Sequence, residues 1–588
     1  MQRKDDETWA LTAAERAAEL ARVFRTKSQL PEAEQNEYTT LPGAPAVRAL
    51  RLPRLSVRKT YDLLAKLDET SGTGPDLLPA RILKGCAAEL AVPLTLLARK
   101  LLREHCWPQC WRLHWVHGIF KRGSRASGKN YRGVHLTPQV SKVVERAVGS
   151  LILPWLEHTG AYGPHQYAYA KGKGYKDVLA VNTCNWLLFL EQGYAVGVYC
   201  SDVSGAFDRV SRERLCAKLD TLGLHPDALG FLKSWLDDRM SQVVLGGAAS
   251  LAELLADSVY QGTVLGPPLW NLFFADARQA LQKGNFSETV FADDLNCWKR
   301  YLLDKNSATP HGAALTNLQE AQQELHLWGQ ANQVLFDPEK ESFHILHRHL
   351  HYGEDFKVLG CVYDSQLLMH SAARHVATEA GWRLKSLLRS RRYFTLPELM
   401  RLYKAQILSY VESSTAALYH AAPSTLERVD RVQWRFLREL SLSETEALCD
   451  FRLAPLCSRR DMAMLGALHK LNLGLAPLQL LELFPLRGTT EEPLRRQQLR
   501  GWRPLHTKQL ETPATFRSSD VMKRSLFGLV HCYNRLPQKV VDTKCVKTFQ
   551  KALQEALSKL AAAGFDDWQK LYSCGWRRVT RTHFDKLY

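Results

Sequence analysis

An adjacent pair of acidic residues between two apolar segments is the feature that most limits how this chain can fold. Asp293 and Asp294 follow the segment 289–292 and precede the segment 295–298. Two short apolar segments joined by a polar pair are typical of a β-hairpin, which predicts that both aspartates lie at its turn. Adjacent carboxylates repel each other unless a cation is shared between them, and Mg²⁺ prefers oxygen ligands of this kind. Asp-Asp is also an ordinary turn sequence, so the pair alone is a weak indication of a metal site.

A second acidic residue, Asp202, strengthens the interpretation as a metal site. It follows the apolar segment 195–200, which is typical of a buried strand that ends before Ser204 and Gly205. Asp202 is therefore predicted at a strand end, where its carboxylate can meet the hairpin acids across a sheet. Paired metal ions roughly 3.5–4 Å apart, held by such acids, are the general device for in-line phosphoryl displacement in polymerases and nucleases.

Three motifs in this order resemble the core of a reverse transcriptase. The motifs are Asp202-x-Ser-x-Ala-Phe-Asp208, Gln261-Gly262-x-x-Leu265-Gly266-Pro267 and Phe291-Ala292-Asp293-Asp294. The first two variants are similar to those of non-LTR (LINE-type) retrotransposons. Weaker matches extend the resemblance over residues 50–440. One departure is Gly133-Val134 after Arg132, where the family usually has Pro-Ile.

The resemblance implies an α+β fold with the right-hand arrangement of a polymerase, in which fingers, a palm with an antiparallel sheet and a helical thumb surround the site. We expect an N-terminal extension and linker at 1–50, fingers and palm at 51–345, primer grip and thumb at 346–440, and a helical C-terminal region at 441–588. The apolar periodicity agrees, since it predicts a helix over 13–25 and mainly helices after residue 365. For the C-terminal region, nucleic-acid binding and plain solvated helix faces stay equally open.

The resemblance also implies catalytic roles for individual residues. Asp202 and Asp293 would bridge two Mg²⁺ ions. Asp294 would be a further metal ligand, although adjacent strand-end side chains diverge and a plain turn residue is the alternative. Lys340, in the sequence Asp337-Pro-Glu-Lys, would be the general acid that protonates the departing pyrophosphate.

Further residues are implied to contact the incoming nucleotide and the primer. The triphosphate would be held by Lys121 or Arg122 together with Arg132, because arginine and lysine both bind phosphate. Phe207 would be the aromatic gate that excludes a ribose 2′-hydroxyl, and Gln261 and Gly262 would pack against the templating pair. Leu359 and Gly360 would seat the primer terminus. A glycine at 262 fits a close backbone approach or an unusual dihedral angle.

The composition agrees with a nucleic-acid enzyme without identifying one. Lys and Arg number 78 against 60 Asp and Glu, a formal charge of +18 that favours binding to phosphate backbones. A merely basic surface would explain the same excess. No apolar run reaches the ~18–20 residues that cross a bilayer, and no signal-peptide core follows the first residues. We therefore expect no membrane association and an intracellular protein, without a choice between nucleus and cytoplasm.

The expected function is that of an RNA-directed DNA polymerase that uses template RNA, a primer or target DNA, and dNTPs. An endonuclease domain, which many relatives carry, does not fit in the first 50 residues, so nicking is expected from a longer chain or another protein. A group II intron-type maturase is an alternative that Ser-x-Ala-Phe-Asp disfavours. An inactive or domesticated RNA-binding relic is another. The retained acids and Lys340 argue against it, whereas Gly133 and Pro267-Pro268 keep it open. The oligomeric state does not follow from the sequence.

Overall fold

The computed structural model describes residues 1, 9–30, 51–255, 257–302, 311–487, 506–511, 519–573 and 587–588. Helices and strands are both abundant among these residues, so the predicted mixture of α and β structure is confirmed. Most of the predicted linker, from residue 31 to 45, lies outside the described residues. Within the described ranges, no helix combines the length and the apolar character needed to cross a bilayer.

The elements alternate before residue 365 and are helical after it. The strands are β1 (Leu113–Phe120), β2 (Tyr131–Leu136), β3 (Ala195–Cys200), β4 (Arg239–Leu245), β5 (Ala248–Ala249), β6 (Glu253–Leu255), β7 (Ser287–Phe291), β8 (Asp294–Tyr301), β9 (Ser342–Leu346), β10 (Phe356–Val358) and β11 (Cys361–Tyr363). The helices up to the end of β11 are α1 (Ala13–Lys27), α2 (Val57–Ala65), α3 (Ala80–Gly85), α4 (Ala87–Arg103), α5 (Gln139–His158), α6 (Tyr175–Glu191), α7 (Arg212–Thr221), α8 (Pro226–Leu236), α9 (Gly266–Phe274), α10 (Arg278–Gln282) and α11 (Gly312–Asn332).

The later helices confirm the predicted helical character of the described residues beyond 365. They are α12 (His370–Arg389), α13 (Leu396–Tyr403), α14 (Ser409–Val411), α15 (Thr415–Leu418), α16 (Pro423–Glu439), α17 (Glu444–Phe451), α18 (Leu456–Asn472), α19 (Leu478–Leu483), α20 (Asp520–Arg524), α21 (Leu526–Tyr533), α22 (Gln538–Val541) and α23 (Val546–Ala562). One continuous hydrophobic core contains residues from α6, β3, β10 and β11, and extends through α12–α16 into α17–α23.

A four-stranded antiparallel sheet, in the order β7-β8-β3-β9, carries the predicted acidic residues. Every residue of β3 is buried, as its uniformly apolar sequence predicts. The predicted hairpin is confirmed as β7 and β8. Its turn consists of Ala292 and Asp293, because Asp294 already pairs with Phe291 at the start of β8.

A second sheet, in the order β2-β1-β4-β5 with β6 beside β4, lies on the other side of the cleft. Its strands β1 and β2 place Gly118 opposite Gly133, and α1 packs on this glycine pair. A Cβ on Gly118 would lie 3.1 Å from Leu20 Cδ1, and one on Gly133 would lie 3.4 Å from the ring of Phe24. A Cβ on Gly133 would also lie 3.0 Å from Val116 Cγ1, so a larger residue at position 133 would crowd β1 and leave little room beneath the N-terminal helix.

Candidate active site

The position of Asp202 is fixed by hydrogen bonds around the end of β3. The backbone N–H and the hydroxyl of Ser201 both donate to the Leu295 carbonyl oxygen, each at 3.0 Å. The Asp337 N–H donates to the Asp202 carbonyl oxygen at 2.9 Å. These contacts join the end of β3 to β8 and to the segment before β9. The predicted location of Asp202 at a strand end next to the hairpin is confirmed.

Burial and like charges shape the electrostatics of the two hairpin acids. Burial raises the pKa of Asp293, and Asp202 raises it further, whereas Arg132 and Lys121 act in the opposite direction. Burial, followed by the charges of Asp293 and Asp202, raises the pKa of Asp294 to about 6. Asp202 and Asp293 are therefore close enough to Asp294 to oppose its ionisation, which is the arrangement that a shared cation relieves.

Lys340 supplies a positive charge beside these acids. Its Nζ donates to Asp202 Oδ2 at 3.1 Å and also contacts the Asp337 carboxylate. Burial acts to lower the pKa of Lys340, but the hydrogen bonds to Asp337 and Asp202 outweigh it and the pKa is raised. The lysine is thus protonated at neutral pH, and its ammonium group lies beside Asp202 and Asp337.

An open cleft brings most of the predicted residues together. The predicted residues that line it are Lys121, Arg122, Arg132, Asp202, Gln261, Asp293 and Lys340. Those that do not line it are Phe207, Gly262, Asp294, Leu359 and Gly360. The structure thus gathers the acids, the candidate general acid and the candidate phosphate ligands around one space. Their individual roles stay predictions.

Three charged residues on the basic side of the cleft were missed by the sequence reasoning. Lys27 at the end of α1, Asp208 and Arg209 line the cleft with Lys121. Burial, and then the charge of Lys121, lowers the pKa of Lys27 to about 8. The Arg209 Nε donates to the Lys27 carbonyl oxygen at 2.8 Å, which joins α1 to the segment after β3. Asp208 stands in a motif that the sequence analysis quoted, whereas nothing local indicates that residue 27 reaches this cleft.

Phe207, the predicted sugar gate, lies just beneath the cleft surface. It is 7 % exposed and stacks on Trp270 with ring centroids 5.9 Å apart. The ring of Tyr169, which is 59 % exposed, meets Phe207 edge-on at 6.3 Å. The assignment of Phe207 as the gate therefore remains a prediction. Tyr169 is the more exposed of the two aromatic rings.

The backbone geometry at Gly262 agrees with the expectation for a glycine. Its φ is +105°, and a Cβ there would lie 2.6 Å from the His135 carbonyl oxygen. The His135 N–H donates to the Gln261 carbonyl oxygen at 2.7 Å. Both reasons given for a glycine, an unusual dihedral angle and a close backbone approach, are therefore present.

Leu359 and Gly360 form the turn between β10 and β11. Both have positive φ, +48° and +80°, as a two-residue hairpin turn of the primed type requires. Leu359 also packs against the large hydrophobic core, so the turn is anchored. Contact of this turn with a primer stays a prediction.

The donor set fits Mg²⁺. Asp202 and Asp293 contribute carboxylates to the same open cleft, and the charges of Asp293 and Asp202 add to burial in raising the pKa of Asp294. Hard divalent ions are held by one or two carboxylates together with substrate phosphates, and the cations of the opposite wall suit such phosphates.

Comparison with known proteins identifies the central part of the chain. A family model described as reverse transcriptase (RNA-dependent DNA polymerase) matches residues 120–363, a range that contains all the predicted site residues. The RNA-directed DNA polymerase from mobile element jockey of Drosophila funebris is 25% identical over 462 residues, which cover 74% of this chain and 49% of the relative.

Two further relatives come from Drosophila melanogaster. The probable RNA-directed DNA polymerase from transposon X-element is 27% identical over 288 residues, or 47% of this chain and 30% of the relative. The probable RNA-directed DNA polymerase from transposon BS is 27% identical over 255 residues, which cover 43% of this chain and 27% of the relative. The chain spans about half the length of the jockey polymerases that it matches. Residues 120–363 therefore match a reverse transcriptase domain, in a chain that is similar to the RNA-directed DNA polymerases of these mobile elements.

Proposed function

We propose that this protein is an RNA-directed DNA polymerase that extends a primer 3′-hydroxyl along template RNA, as a non-LTR retrotransposon polymerase does. One observation carries the proposal: Asp202, Asp293 and Lys340 line a single cleft whose opposite wall is basic. The acids suit divalent cations, and the basic wall suits the triphosphate of an incoming nucleotide. The substrates are template RNA, a primer or target DNA, and dNTPs.

The chemistry follows from the positions of these side chains. Asp202 and Asp293 would hold two Mg²⁺ ions, and Asp294 would be a further carboxylate ligand. When bound, the ions activate the primer hydroxyl and neutralise the charge that develops on the phosphates. Lys121, Arg122 and Arg132 orient the triphosphate from the opposite wall.

Lys340 is the proton donor to the departing pyrophosphate in this proposal. Its raised pKa keeps the ammonium protonated, and its Nζ lies 3.1 Å from Asp202 Oδ2. General acid catalysis requires a donor within hydrogen-bond reach of the group that it protonates. Binding of metal and nucleotide beside Asp202 would free the ammonium from that carboxylate and turn it towards the phosphates.

A right-hand arrangement is the architecture we propose for this activity. The sheet of β1, β2 and β4–β6 with α1–α4 would form the fingers, and the sheet of β3 and β7–β9 would form the palm. Helices α12–α16 would form the thumb. The Phe207 gate, the Gln261-Gly262 loop and the Leu359-Gly360 primer turn belong to the same proposal.

An exposed face of α12 supports binding of a nucleic-acid duplex by this thumb. Arg374, Trp382, Lys385 and Arg389 recur at helical spacing and are all exposed, with Trp382 63 % exposed. The neighbouring acid, Glu379, already pairs with Arg383 at 3.1 Å. A row of cations with one exposed aromatic ring suits a phosphate backbone and an apolar contact in a groove.

Primer extension is the experiment that tests the proposal. Purified protein would be incubated with a DNA primer annealed to an RNA template, dNTPs and Mg²⁺, beside the Asp202→Asn, Asp293→Asn double variant. Extension by the wild type alone is the expected result. The same RNA would be titrated with each protein at increasing salt. Absence of extension while RNA is still bound in a salt-sensitive way would contradict the proposal and favour an RNA-binding relic.

A further inference from the structure

The turn that carries Asp293 has an unfavourable backbone conformation. Ala292 has a φ of +60°, in the left-handed region that a residue with a Cβ rarely adopts. Glycine is the usual residue at such a position because it has no Cβ to clash. The chain keeps an alanine here, directly before the predicted metal ligand, so other contacts must hold the turn in place.

The side chain of Gln166 makes these contacts. Its Oε1 accepts a hydrogen bond from the Ala292 N–H at 3.0 Å, and its Nε2 donates to the Ala292 carbonyl oxygen at 3.3 Å. The same Oε1 accepts from the N–H groups of Tyr167 at 3.1 Å and Ala168 at 3.0 Å. Gln166 is 4 % exposed. One buried carboxamide therefore holds both backbone polar groups of the strained residue.

Gln166 is itself fixed by the elements around it. The Val290 N–H donates to the His165 carbonyl oxygen at 3.0 Å, and the Tyr167 N–H donates to the Val290 carbonyl oxygen at 2.9 Å. The Tyr167 hydroxyl donates to Gln479 Oε1 at 2.5 Å, and Gln479 Nε2 donates to the Glu288 carbonyl oxygen at 3.0 Å. The segment around Gln166 thus lies along β7, with α19 of the C-terminal region behind it.

We propose that Gln166 is a positioning residue for the catalytic turn. Its carboxamide holds Ala292 in the left-handed conformation and thereby presents Asp293 to the cleft. Gln166 does not belong to the described lining of the cleft, so it acts through Ala292. A carboxamide is suited to this task because it offers an acceptor and a donor side by side, whereas an ionised carboxylate has no donor and a thioether has no donor and only a weak acceptor. The proposal rests on the polymerase function proposed above.

A double-variant cycle between Gln166 and Ala292 tests the proposal. Gln166→Met removes both hydrogen bonds to Ala292, and we expect kcat to fall about a hundredfold, as for a small displacement of a catalytic group. KM for the dNTP should change little, because the basic residues that face the triphosphate lie on the other wall. Ala292→Gly alone should leave kcat within a few-fold of wild type, roughly as expected for removing a Cβ at positive φ.

Rescue by glycine separates positioning from general support of the fold. Adding Ala292→Gly to Gln166→Met should restore most of kcat, because glycine adopts the left-handed conformation without the carboxamide. A matched control is Gln139→Met, which removes another buried carboxamide whose Nε2 donates to the Gly72 carbonyl oxygen at 2.5 Å. That variant should leave kcat unchanged, and Ala292→Gly should not improve it.

Gln166→Glu is a second variant of nearly the same shape. The glutamate keeps the acceptor and loses the donor to the Ala292 carbonyl, so the kcat of this variant should lie between those of wild type and Gln166→Met. Thermal unfolding would verify that each protein is folded. Wild-type kcat in Gln166→Met would overturn the proposal. The proposal would also be overturned if the fall in kcat of the double variant equalled the product of the falls in the two single variants.

Binding of Mn²⁺, followed by electron paramagnetic resonance, supplies a readout that needs no polymerisation. We expect Gln166→Met to weaken Mn²⁺ binding and Ala292→Gly to restore it, with Asp293→Asn as the reference for loss of the site. A wild type that binds Mn²⁺ through Asp293 but extends no primer would contradict the polymerase function alone. Unchanged Mn²⁺ affinity in Gln166→Met, beside active wild type, would contradict the positioning role alone.

Discussion

Two groups of charged side chains differ in whether their charges are already compensated inside the protein. Lys218 and Asp276 are both fully buried, and their Nζ and Oδ1 atoms lie 2.8 Å apart. Lys218 Nζ also donates to the Phe273 carbonyl oxygen at 2.8 Å, and Trp328 Nε1 donates to Asp276 Oδ1 at 3.1 Å. Each charge has an opposite partner and further hydrogen bonds, as a buried pair requires.

The acids of the cleft are less completely balanced. Asp202 pairs with Lys340, whose side chain is 47 % exposed, and the charges of Asp293 and Asp202 add to burial in raising the pKa of Asp294. The first group is arranged for the protein alone, whereas the second would be completed by the cation that we propose it binds. Substitutions in the two groups should therefore have opposite consequences for stability and activity.

Asp293→Asn should have the largest effect on synthesis. It removes a metal ligand while keeping the side-chain size, so we expect Mg²⁺-dependent extension to fall at least about a thousandfold, equivalent to several kcal/mol of transition-state stabilisation. The free energy of unfolding should stay the same or rise, because repulsion is relieved. Single-turnover extension and urea unfolding would measure both effects. The exposed Asp355→Asn is the control, and retained synthesis in Asp293→Asn would remove this residue from the metal site.

Asp276→Asn should have the opposite pattern of effects, with a large loss of stability and little change in synthesis. It leaves the Lys218 ammonium buried without its counter-charge, and breaking such a pair costs about 3–5 kcal/mol of the free energy of unfolding. Extension per folded molecule should remain close to wild type. Replacing both residues together, with Lys218→Met and Asp276→Leu, should recover much of the stability. A selective loss of extension in fully folded Asp276→Asn would contradict the division between the two groups.

Lys340→Ala tests whether the lysine of the cleft donates a proton or only compensates charge. A general acid contributes roughly a hundredfold or more, so the rate of the chemical step should fall by about that factor. Lys340→Arg keeps the positive charge, but a guanidinium does not give up its proton. The arginine variant should therefore be as slow as the alanine variant in pre-steady-state extension. Recovery of the rate by arginine would show that the charge alone matters.

Phe207→Ala should have the smallest effect of these variants on activity, because this residue lies between the compact core and the cleft. The effect should be on nucleotide selectivity. Removing the gate should raise the ratio of ribonucleotide to deoxyribonucleotide incorporation at least about tenfold, since filling or emptying a pocket by a few carbons changes selectivity on this scale. Competitive incorporation assays would measure the ratio. Tyr169→Ala is the matched comparison, because its exposed ring contacts Phe207. A changed ratio in Tyr169→Ala alone would move the gate to that residue.

The features that the sequence predicted correctly are those encoded by neighbouring residues. The hairpin at 289–298 follows from local apolar patterns and turn residues, and the structure confirms it. The position of Asp202 follows from the buried strand before it. The close approach at Gly262 was also predictable, because few residues other than glycine tolerate it.

The features that the sequence did not reveal depend on residues distant along the chain. The contact between Gln166 and Ala292 joins residues 126 positions apart. The arrival of Lys27 at the cleft depends on the packing of α1 against Gly118 and Gly133. No pattern within a single segment predicts such pairings, because they arise only when the whole fold brings the segments together. The family resemblance pointed to the motifs but not to these supports.

The contact between Tyr167 and Gln479 has a consequence for how such chains can diversify. It joins α19 to the loop behind the catalytic turn, and Lys470 pairs with Asp177 at 2.6 Å beside it. A recombination junction near residue 440 between two diverged lineages would unite a palm and a C-terminal segment whose contacting residues no longer match. Active chimaeric chains should therefore carry residues 165–177 and 470–479 from the same parent sequence.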